Sequence, residues 1–282
     1  MFSTAPADQY TTVRGIRTRY WTSGQGGTPI LLIHGLGGSV ESWIRNVQAL
    51  GEHHLVYAPD LPGFGRAEKV ISAPRTFATF AEFIRAFMDQ EGIDKAHLVG
   101  SSMGGGVSLQ FAIDFPERLD KLVLVASAGV GESKPHRFYR LAALPLIGEW
   151  LTRPSREGAA ESWRVCLYNP ELLTDELVDR AYELYSLPGA SRAFLATTRA
   201  LLGPLGPRDA VLRPIREGLA TITAPTLIVW GREDEVLPVS GAYAGAECIA
   251  NARLHIFERC GHLPHFEFAE EFNALLSDFL QH

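Results

Sequence analysis

The chain has 282 residues, of which 46% are hydrophobic and 21% are charged, and its formal net charge is −6. This length and composition allow one large domain, or one domain with a substantial insertion, around a sizeable core. The sequence contains no run of like charges, which argues against nucleic acid as a partner.

Cysteine usage and the absence of apolar runs indicate the compartment. Cys166, Cys248 and Cys260 are widely spaced and form no C-x-x-C pair, so neither a disulfide framework nor a zinc site is indicated. The first residues lack a basic stretch followed by an apolar one, and the chain has no run of about 18 apolar residues. We therefore expect a cytoplasmic protein without a membrane span, present as a monomer or a small homo-oligomer.

Strand-like segments recur along most of the chain. Two short β-like segments come first, and a Gly-rich turn at 23–27 follows them. The later segments are short and almost wholly apolar, which is typical of parallel strands covered by helices on both faces. In order, the predicted strands are 10–13, 18–22, 29–33, 54–58, 96–99, 121–125, 225–230 and 253–257. Helical spacing at 77–90 and 103–115 completes the alternation and predicts an α/β sheet.

The alternation of strand and helix stops between residues 133 and 214. No buried-strand run occurs there, and helix-like segments such as 176–184 and 192–202 are separated by Pro- and Gly-rich joints. The pattern predicts an all-helical cap at 133–214, seated over the carboxyl edge of a core formed by 1–132 and 215–282. Its apolar side chains predict an acyl or aryl pocket: Phe138, Leu141, Leu144, Leu146, Ile147, Trp150 and Leu151.

The strongest chemical signal is the G-x-S-x-G sequence at 100–104, which directly follows one predicted strand and directly precedes a helix. A serine in a strained strand-to-helix turn needs small neighbours two positions away on each side, and Gly100 and Gly104 meet that need. Ser102 is therefore the predicted nucleophile. The turn also directs the backbone N–H of Met103 toward the developing oxyanion.

A second Gly-rich loop, His34 to Gly38, follows the strand at 29–33. It resembles the oxyanion-hole loop that accompanies a G-x-S-x-G nucleophile elbow, which implies a second backbone N–H, with Leu36 as the candidate donor. Asp60 follows a strand as well, but it precedes the nucleophile in the chain. In proteins with such an elbow the triad follows in the order serine, acid and histidine, so the resemblance of 100–104 to that elbow assigns Asp60 to shaping a turn.

The predicted acid and base lie after later strands. Asp234, between Glu233 and Glu235, follows the strand at 225–230, and His262 follows the strand at 253–257. His265, three residues further on, is the alternative base. Cys260 has no base of its own and is interpreted as a packing residue. No metal is expected, because no histidine and carboxylate cluster has ligand spacing.

The motifs HGLGG, DLPGFG, GSSMGG, WGREDEVLP and GHLPHFE resemble those of the α/β-hydrolase superfamily in identity and order, over nearly the whole chain. The resemblance implies a mostly parallel eight-stranded sheet with helices on both faces, a helical cap and no cofactor. Pro238 stands four residues after Asp234, as in the family. A serine at 102 argues against dehalogenases and epoxide hydrolases, whose elbow carries aspartate.

Two serine-using groups of the superfamily are similar to this chain. Arg45-Asn46-Val47 and a cap arginine such as Arg192 resemble the meta-cleavage-product carbon–carbon hydrolases. Against that group, Leu263 replaces its usual tryptophan after the histidine, and the Gly35 to Gly38 loop lacks its Gly-x-Gly-Pro-Gly form. The resemblance therefore favours a serine esterase whose substrate is a small carboxylic ester of short to medium acyl or aryl type.

The alternatives are a carbon–carbon hydrolase acting on vinylogous 1,5-diketones, a lactonase and, less favoured, a non-catalytic receptor. Arg192, Leu263 and Trp43 are the candidate substrate contacts.

Overall fold

The computed structural model describes residues 5–70, 75–131, 136–203 and 205–281. The strands β1 to β10 are Gln9–Val13, Ile16–Ser23, Ile30–Ile33, Val56–Pro59, Ala96–Ser101, Leu119–Val125, Leu202–Gly203, Gly206–Pro207, Thr226–Gly231 and Ala252–Phe257. The helices α1 to α12 are Val47–Gly51, Phe77–Gln90, Met103–Asp114, Arg137–Ala142, Ile147–Leu151, Arg156–Arg164, Asp175–Tyr185, Ala190–Leu201, Asp209–Gly218, Ser240–Cys248, Pro264–Glu267 and Ala269–Gln281.

Eight strands form one sheet in the order β1-β2-β4-β3-β5-β6-β9-β10. The pairs β1–β2 and β2–β4 are antiparallel, and all the other pairs are parallel. This confirms the predicted mostly parallel eight-stranded sheet.

The parallel register brings four chain segments to one edge of the sheet. Ile33 at the end of β3 pairs with Gly100 of β5, and Ser101 of β5 pairs with Val125 of β6. Phe257, the last residue of β10, pairs with Gly231 at the end of β9. Because the carboxyl ends of parallel strands meet at one edge, the loops that follow β3, β5, β9 and β10 converge there.

Core packing on both faces explains why the strands read as continuous apolar runs. In β3, Leu31 and Ile33 join one buried cluster and Ile30 and Leu32 join the other, since alternate side chains of a strand point to opposite faces. The first cluster includes residues of α2, α3, α9 and α10, and the second includes residues of α1, α11 and α12. Helices therefore cover both faces, as predicted.

The insertion between β6 and β9 contains α4 to α8. It was predicted to be wholly helical, but it also contains two short strands. Leu202–Gly203 and Gly206–Pro207 pair as a two-stranded antiparallel ribbon. Helix α9 crosses the predicted boundary at residue 214 and packs on the core: Gly218 lies so close to Ile113 of α3 that a Cβ there would clash. We propose residue 208 as the end of the insertion, and "the insertion" below means residues 136–208.

Three further observations concern the cysteines, membrane-spanning helices and metal sites. Cys166, Cys248 and Cys260 are free thiols. Within the described ranges, no helix is both long enough and apolar enough to span a bilayer. The same residues contain no group of three His, Cys, Asp or Glu side chains arranged to hold a metal ion.

Candidate active site

Ser102 occupies a strained turn between β5 and α3. Its φ of 56° and ψ of −117° lie in a region that L-residues rarely adopt, which costs on the order of 1–3 kcal/mol. Surrounding hydrogen bonds hold the turn: the Ser102 N–H donates to Val125 O at 2.9 Å, and the Ala128 N–H donates to Ser102 O at 2.9 Å. The glycines are required as predicted, because a Cβ on Gly104 would collide with the Ile33 carbonyl and one on Gly100 with the Gly104 carbonyl.

The loop after β3 lies against the Ser102 turn. A Cβ on Gly35 would stand 3.0 Å from Ser102 Cβ and 3.5 Å from its Oγ, so glycine is needed for the approach. A turn closed by the Gly38 N–H to Gly35 O, at 3.1 Å, contains Leu36, which lines the same cavity as Ser102. Met103 begins α3, so its N–H has no acceptor within the helix. The Met103 N–H is thus available for the predicted oxyanion role, and the predicted second donor, Leu36, lies at the same cavity.

Asp234 and His262 form a buried pair. Asp234 Oδ2 lies 2.7 Å from His262 Nδ1. The other oxygen, Oδ1, accepts the N–H groups of Val236 and Leu237 at 2.8 and 2.9 Å, which fixes the carboxylate. Since Nδ1 is engaged, Nε2 is the ring nitrogen left for proton transfer. Ser102 and His262 both line one cavity, so the structure brings the three predicted residues to one site.

The register of the three consecutive acids follows from where their carboxylates point. Asp234 meets the imidazole, whereas Glu233 Oε2 accepts the Cys260 N–H at 2.9 Å and Glu235 is exposed. Cys260 itself is fully buried, and burial raises the pKa of its thiol. Its contacts agree with the predicted packing role.

Glu267, to which sequence reasoning assigned no role, anchors the loop that carries His262. Its Oε1 accepts the Gly261 N–H at 2.6 Å, and its Oε2 accepts the Asn169 N–H at 2.8 Å. The backbone N–H of His262 donates to the backbone carbonyl of Cys166 at 2.7 Å. Because residues 166 and 169 belong to the insertion, these bonds tie the insertion directly to the base.

His265, the alternative base, lies elsewhere. It is fully buried and its ring packs against Trp43 in a tilted arrangement, with centroids 4.3 Å apart. Burial lowers the pKa of His265 to about 3. Neither His265 nor Trp43 lines the cavity. Trp43 was predicted to contact the substrate, but its side chain is instead buried in the core with Phe266 of α11.

A cavity of about 540 Å³ lies between the sheet edge and the insertion. Leu263, a predicted substrate contact, lines it beside His262. Insertion residues Phe138, Leu141 and Leu151 line it as well, as predicted, and Phe194 packs over Gly37 at 3.2 Å from where a Cβ would stand. The predicted pocket residues Leu144, Leu146, Ile147 and Trp150 are not among the lining residues.

Arg192, the predicted cationic contact, is exposed and does not line the cavity. On α8 the cavity-facing positions are 190, 191 and 194, which share one helical face, and residue 192 lies on another. Four other cations line the cavity, namely Lys69, Arg137, Arg153 and Arg180. Arg180 belongs to α7, and its Nη1 is 3.8 Å from Glu41 Oε1. Sequence alone did not distinguish the two arginines, since the choice depends on how each helix is rotated.

Beneath Arg180 lies a buried ionic network. Arg19 donates to both oxygens of Glu41, at 2.9 and 2.7 Å, and its Nε donates to Asp60 Oδ2 at 2.7 Å. Asp60 also accepts the Val40 and Arg66 N–H groups, at 2.9 and 2.7 Å. Asp60 therefore shapes turns, as predicted. Arg19 already satisfies Glu41, so the long contact leaves most Arg180 donors for a ligand.

His34 is likewise structural. Its Nδ1 is 2.8 Å from Gly35 O, and its Nε2 accepts the Leu61 N–H at 3.0 Å. Burial lowers the pKa of the ring, so it is neutral with one nitrogen donating and one accepting. The histidine fastens the Gly35 loop to the chain after β4.

Comparison with protein families gives one matching family model, described as the alpha/beta hydrolase fold, over residues 28–269. Among curated relatives, a 2-hydroxy-6-oxo-6-phenylhexa-2,4-dienoate hydrolase of Comamonas testosteroni is 33% identical over 90% of this chain and 88% of its own. A 2-hydroxymuconate semialdehyde hydrolase of Pseudomonas sp. strain CF600 is 34% identical over 94% of this chain and 91% of its own.

A solved structure is similar over almost the whole fold. A mutant of a meta-cleavage product hydrolase from Pseudomonas fluorescens IP01, in complex with acetates, has a TM-score of 0.82 and 31% identity, covering 97% of each chain. Fold, motif order and relatives thus agree with one another.

Proposed function

We propose, from the premise that the chain belongs to the α/β-hydrolase family whose model matches residues 28–269, that it hydrolyses a carbon–carbon bond in a vinylogous 1,5-diketone bearing a carboxylate. Ser102 is the proposed nucleophile, His262 its base and Asp234 the residue that orients the base. The observation that carries the substrate class is Arg180 in the cavity that Ser102 and His262 line.

The chemistry begins at the carbonyl of the substrate. Ser102 Oγ attacks the carbonyl carbon while His262 accepts the hydroxyl proton, and the N–H groups of Leu36 and Met103 stabilise the oxyanion. The bond to the leaving group then breaks and leaves an acyl group on Ser102. Water, deprotonated by His262, releases that group as a carboxylic acid.

A 1,5-diketone suits this machinery because its leaving group is a carbon atom with a place for its electrons. When the bond between the attacked carbonyl and the next carbon breaks, the electron pair delocalises through the conjugated chain onto the second carbonyl. His262 returns its proton to this fragment, which departs as an enol. The same triad therefore cleaves either a C–C or a C–O bond, and the leaving group decides which.

Three observations support the ring-fission class. The relatives named as hydrolases of 2-hydroxy-6-oxo dienoates and of 2-hydroxymuconate semialdehyde match about nine-tenths of this chain. The cavity of about 540 Å³ has the size of a site for a small organic molecule. Arg180 offers a guanidinium to a carboxylate within a mainly apolar lining that also includes Lys69, Arg137 and Arg153.

The test compares kcat/KM for 2-hydroxy-6-oxo-6-phenylhexa-2,4-dienoate, p-nitrophenyl esters from acetate to octanoate and a lactone. We expect the dienoate to exceed every ester at least tenfold or so, and Arg180→Ala to raise its KM about 10- to 100-fold, the value of a charge-assisted hydrogen bond. Arg192→Ala is the matched control, an exposed arginine of the same insertion, and should change neither constant. Esters turned over faster than the dienoate, with no effect of Arg180→Ala, would contradict the proposal.

Ester hydrolysis is the second candidate, and Leu263 favours it. This aliphatic side chain lies on the cavity wall beside His262, where the carbon–carbon hydrolases usually carry a tryptophan. An apolar wall at this position accepts an alkyl or aryl acyl group without a further polar contact. The side-by-side assay above decides between the two candidates.

A further inference from the structure

An apolar surface on the insertion faces outward. Among the described residues, the exposed large hydrophobic side chains other than tyrosines all lie there: Leu141, Leu146, Ile147, Trp150 and Leu205. Four of them fall within ten residues, on α4, on α5 and in the turn between these helices. Clustered exposed apolar side chains mark interaction sites, whereas scattered single ones do not.

The backbone conformation of the α4–α5 turn directs these apolar side chains outward. Leu146 precedes α5 with a φ of 66°, a strained conformation for leucine, and its side chain is 83% exposed. Gly148 of α5 is buried, so close to Leu195 of α8 that a Cβ there would lie 2.9 Å from it. Helix α5 therefore packs through Gly148, and Leu146 and Trp150 project away from the fold, the latter 65% exposed.

The same surface carries excess positive charge although the whole chain is acidic. Arg137 and Arg153, which flank the apolar residues in the chain, are exposed. The acid among them, Glu149, is held by Arg199 through two hydrogen bonds of 2.8 Å. The surface thus combines a basic rim with an apolar centre.

The surface is continuous with the mouth of the cavity. Arg137 and Arg153 of the rim, and Leu141 of the apolar centre, also line the cavity. Leu146, Ile147 and Trp150 do not. An object seated on the apolar centre would therefore lie at the entrance without filling the site.

We propose that residues 137–153 dock on the surface of an anionic phospholipid bilayer. Tryptophan and leucine side chains with flanking arginines are the composition of segments that lie in the membrane interface. Each arginine near an anionic leaflet strengthens the attachment. A two-fold contact with a second copy would instead bring equivalent basic rims toward each other, which is unfavourable. Docking places the cavity mouth at the lipid surface.

Trp150 supplies the readout for the experiment. Trp21, Trp43 and Trp230 are fully buried and Trp163 is partly buried, so Trp150 is the exposed tryptophan. On phosphatidylglycerol and phosphatidylcholine vesicles we expect co-sedimentation and a blue shift of tryptophan emission, both weakened by salt. Trp150→Phe should remove most of the shift while binding continues.

The double variant Leu146→Ser and Ile147→Ser should lower vesicle partitioning at least about tenfold, since each change removes a large apolar side chain from the interface. Hydrolysis of a water-soluble substrate should be unchanged, because neither residue lines the cavity. Tyr182→Ser, an exposed side chain on α7, is the matched control and should bind as the parent chain does.

Absence of binding to anionic vesicles, or equal binding to pure phosphatidylcholine, would overturn the proposal. So would a dimer in sedimentation velocity that the double variant abolishes while vesicles bind neither protein. That outcome would assign the surface to a second copy of the chain.

Discussion

Replacing Glu267 by glutamine tests how the insertion and the base are joined. The buried carboxylate accepts the Gly261 N–H at 2.6 Å and the Asn169 N–H at 2.8 Å. Glutamine keeps one acceptor oxygen and presents an NH₂ group to the other N–H. The loss is one charge-assisted hydrogen bond plus an unsatisfied buried donor, together about 2–4 kcal/mol of unfolding free energy.

For a chain of this size each kcal/mol is worth about 2–4 °C, so the Tm should fall by roughly 4–16 °C. His262 follows Gly261, and a displacement of the order of 1 Å at a reacting group costs up to about 100-fold. We therefore expect kcat to fall about 10- to 100-fold at a temperature well below the Tm, with little change in KM. The assays are calorimetry and steady-state kinetics on one substrate.

Glu270→Gln is the matched control, because it makes the same chemical change on the exposed surface of α12. It should alter stability by less than about 0.5 kcal/mol and leave kcat unchanged. If Glu267→Gln behaves like this control, the carboxylate does not position the histidine loop and the reasoning is refuted. A lower Tm with unchanged kcat would restrict Glu267 to stability.

Two further predictions concern the acid and the buried histidines. Asp234→Asn should lower kcat about 10³-fold or more, because the amide no longer orients His262. Glu233→Gln and Glu235→Gln should keep most activity. Steady-state kinetics of the three variants test this, and a reversed ranking would contradict the assignment of Asp234. Burial lowers the pKa of His97 to about 4 and of His265 to about 3, from 6.5. The unfolded chain therefore binds protons that the folded chain does not, so the free energy of unfolding should fall as pH drops from about 6.5 toward 4. In urea titrations His265→Phe should flatten that slope, and an unchanged slope would contradict the burial argument.

The sheet was predictable because its strands are covered on both faces. Such strands must be apolar at nearly every position, as 29–33 and 121–125 are, and this signal does not depend on neighbours far away in the sequence. The ribbon at Leu202–Gly203 and Gly206–Pro207 carries no comparable signal. Its strands are two residues long and rich in glycine and proline, which in sequence indicate a joint.

The nucleophile of the candidate triad was also predictable from a local signal. Gly100 and Gly104 flank Ser102 at positions where a Cβ would collide with backbone atoms. The contribution of the insertion was not. Arg180 and Arg192 have the same chemistry, and the rotation of α7 and α8 decides which one lines the cavity. Glu267 looks like any other acid of a helical segment until the fold brings Asn169 beside it.

The proposed site also left apolar residues unexplained. Leu146 and Trp150 were expected to form a pocket, because apolar side chains in an insertion ordinarily pack. The structure turns them outward through a strained turn and a buried glycine. A sequence pattern reports the apolar character of a residue, but not which surface covers it.

Covalent labelling tests the proposed nucleophile most directly, because it does not depend on the substrate. A fluorophosphonate should add once to each chain, and fragmentation of the labelled peptide should place the adduct on Ser102 rather than Ser101. We expect no adduct in Ser102→Ala, and labelling slowed about 100-fold or more in His262→Ala, since the base activates the serine. An adduct on another residue, or labelling of Ser102→Ala at the parent rate, would contradict the assignment of Ser102.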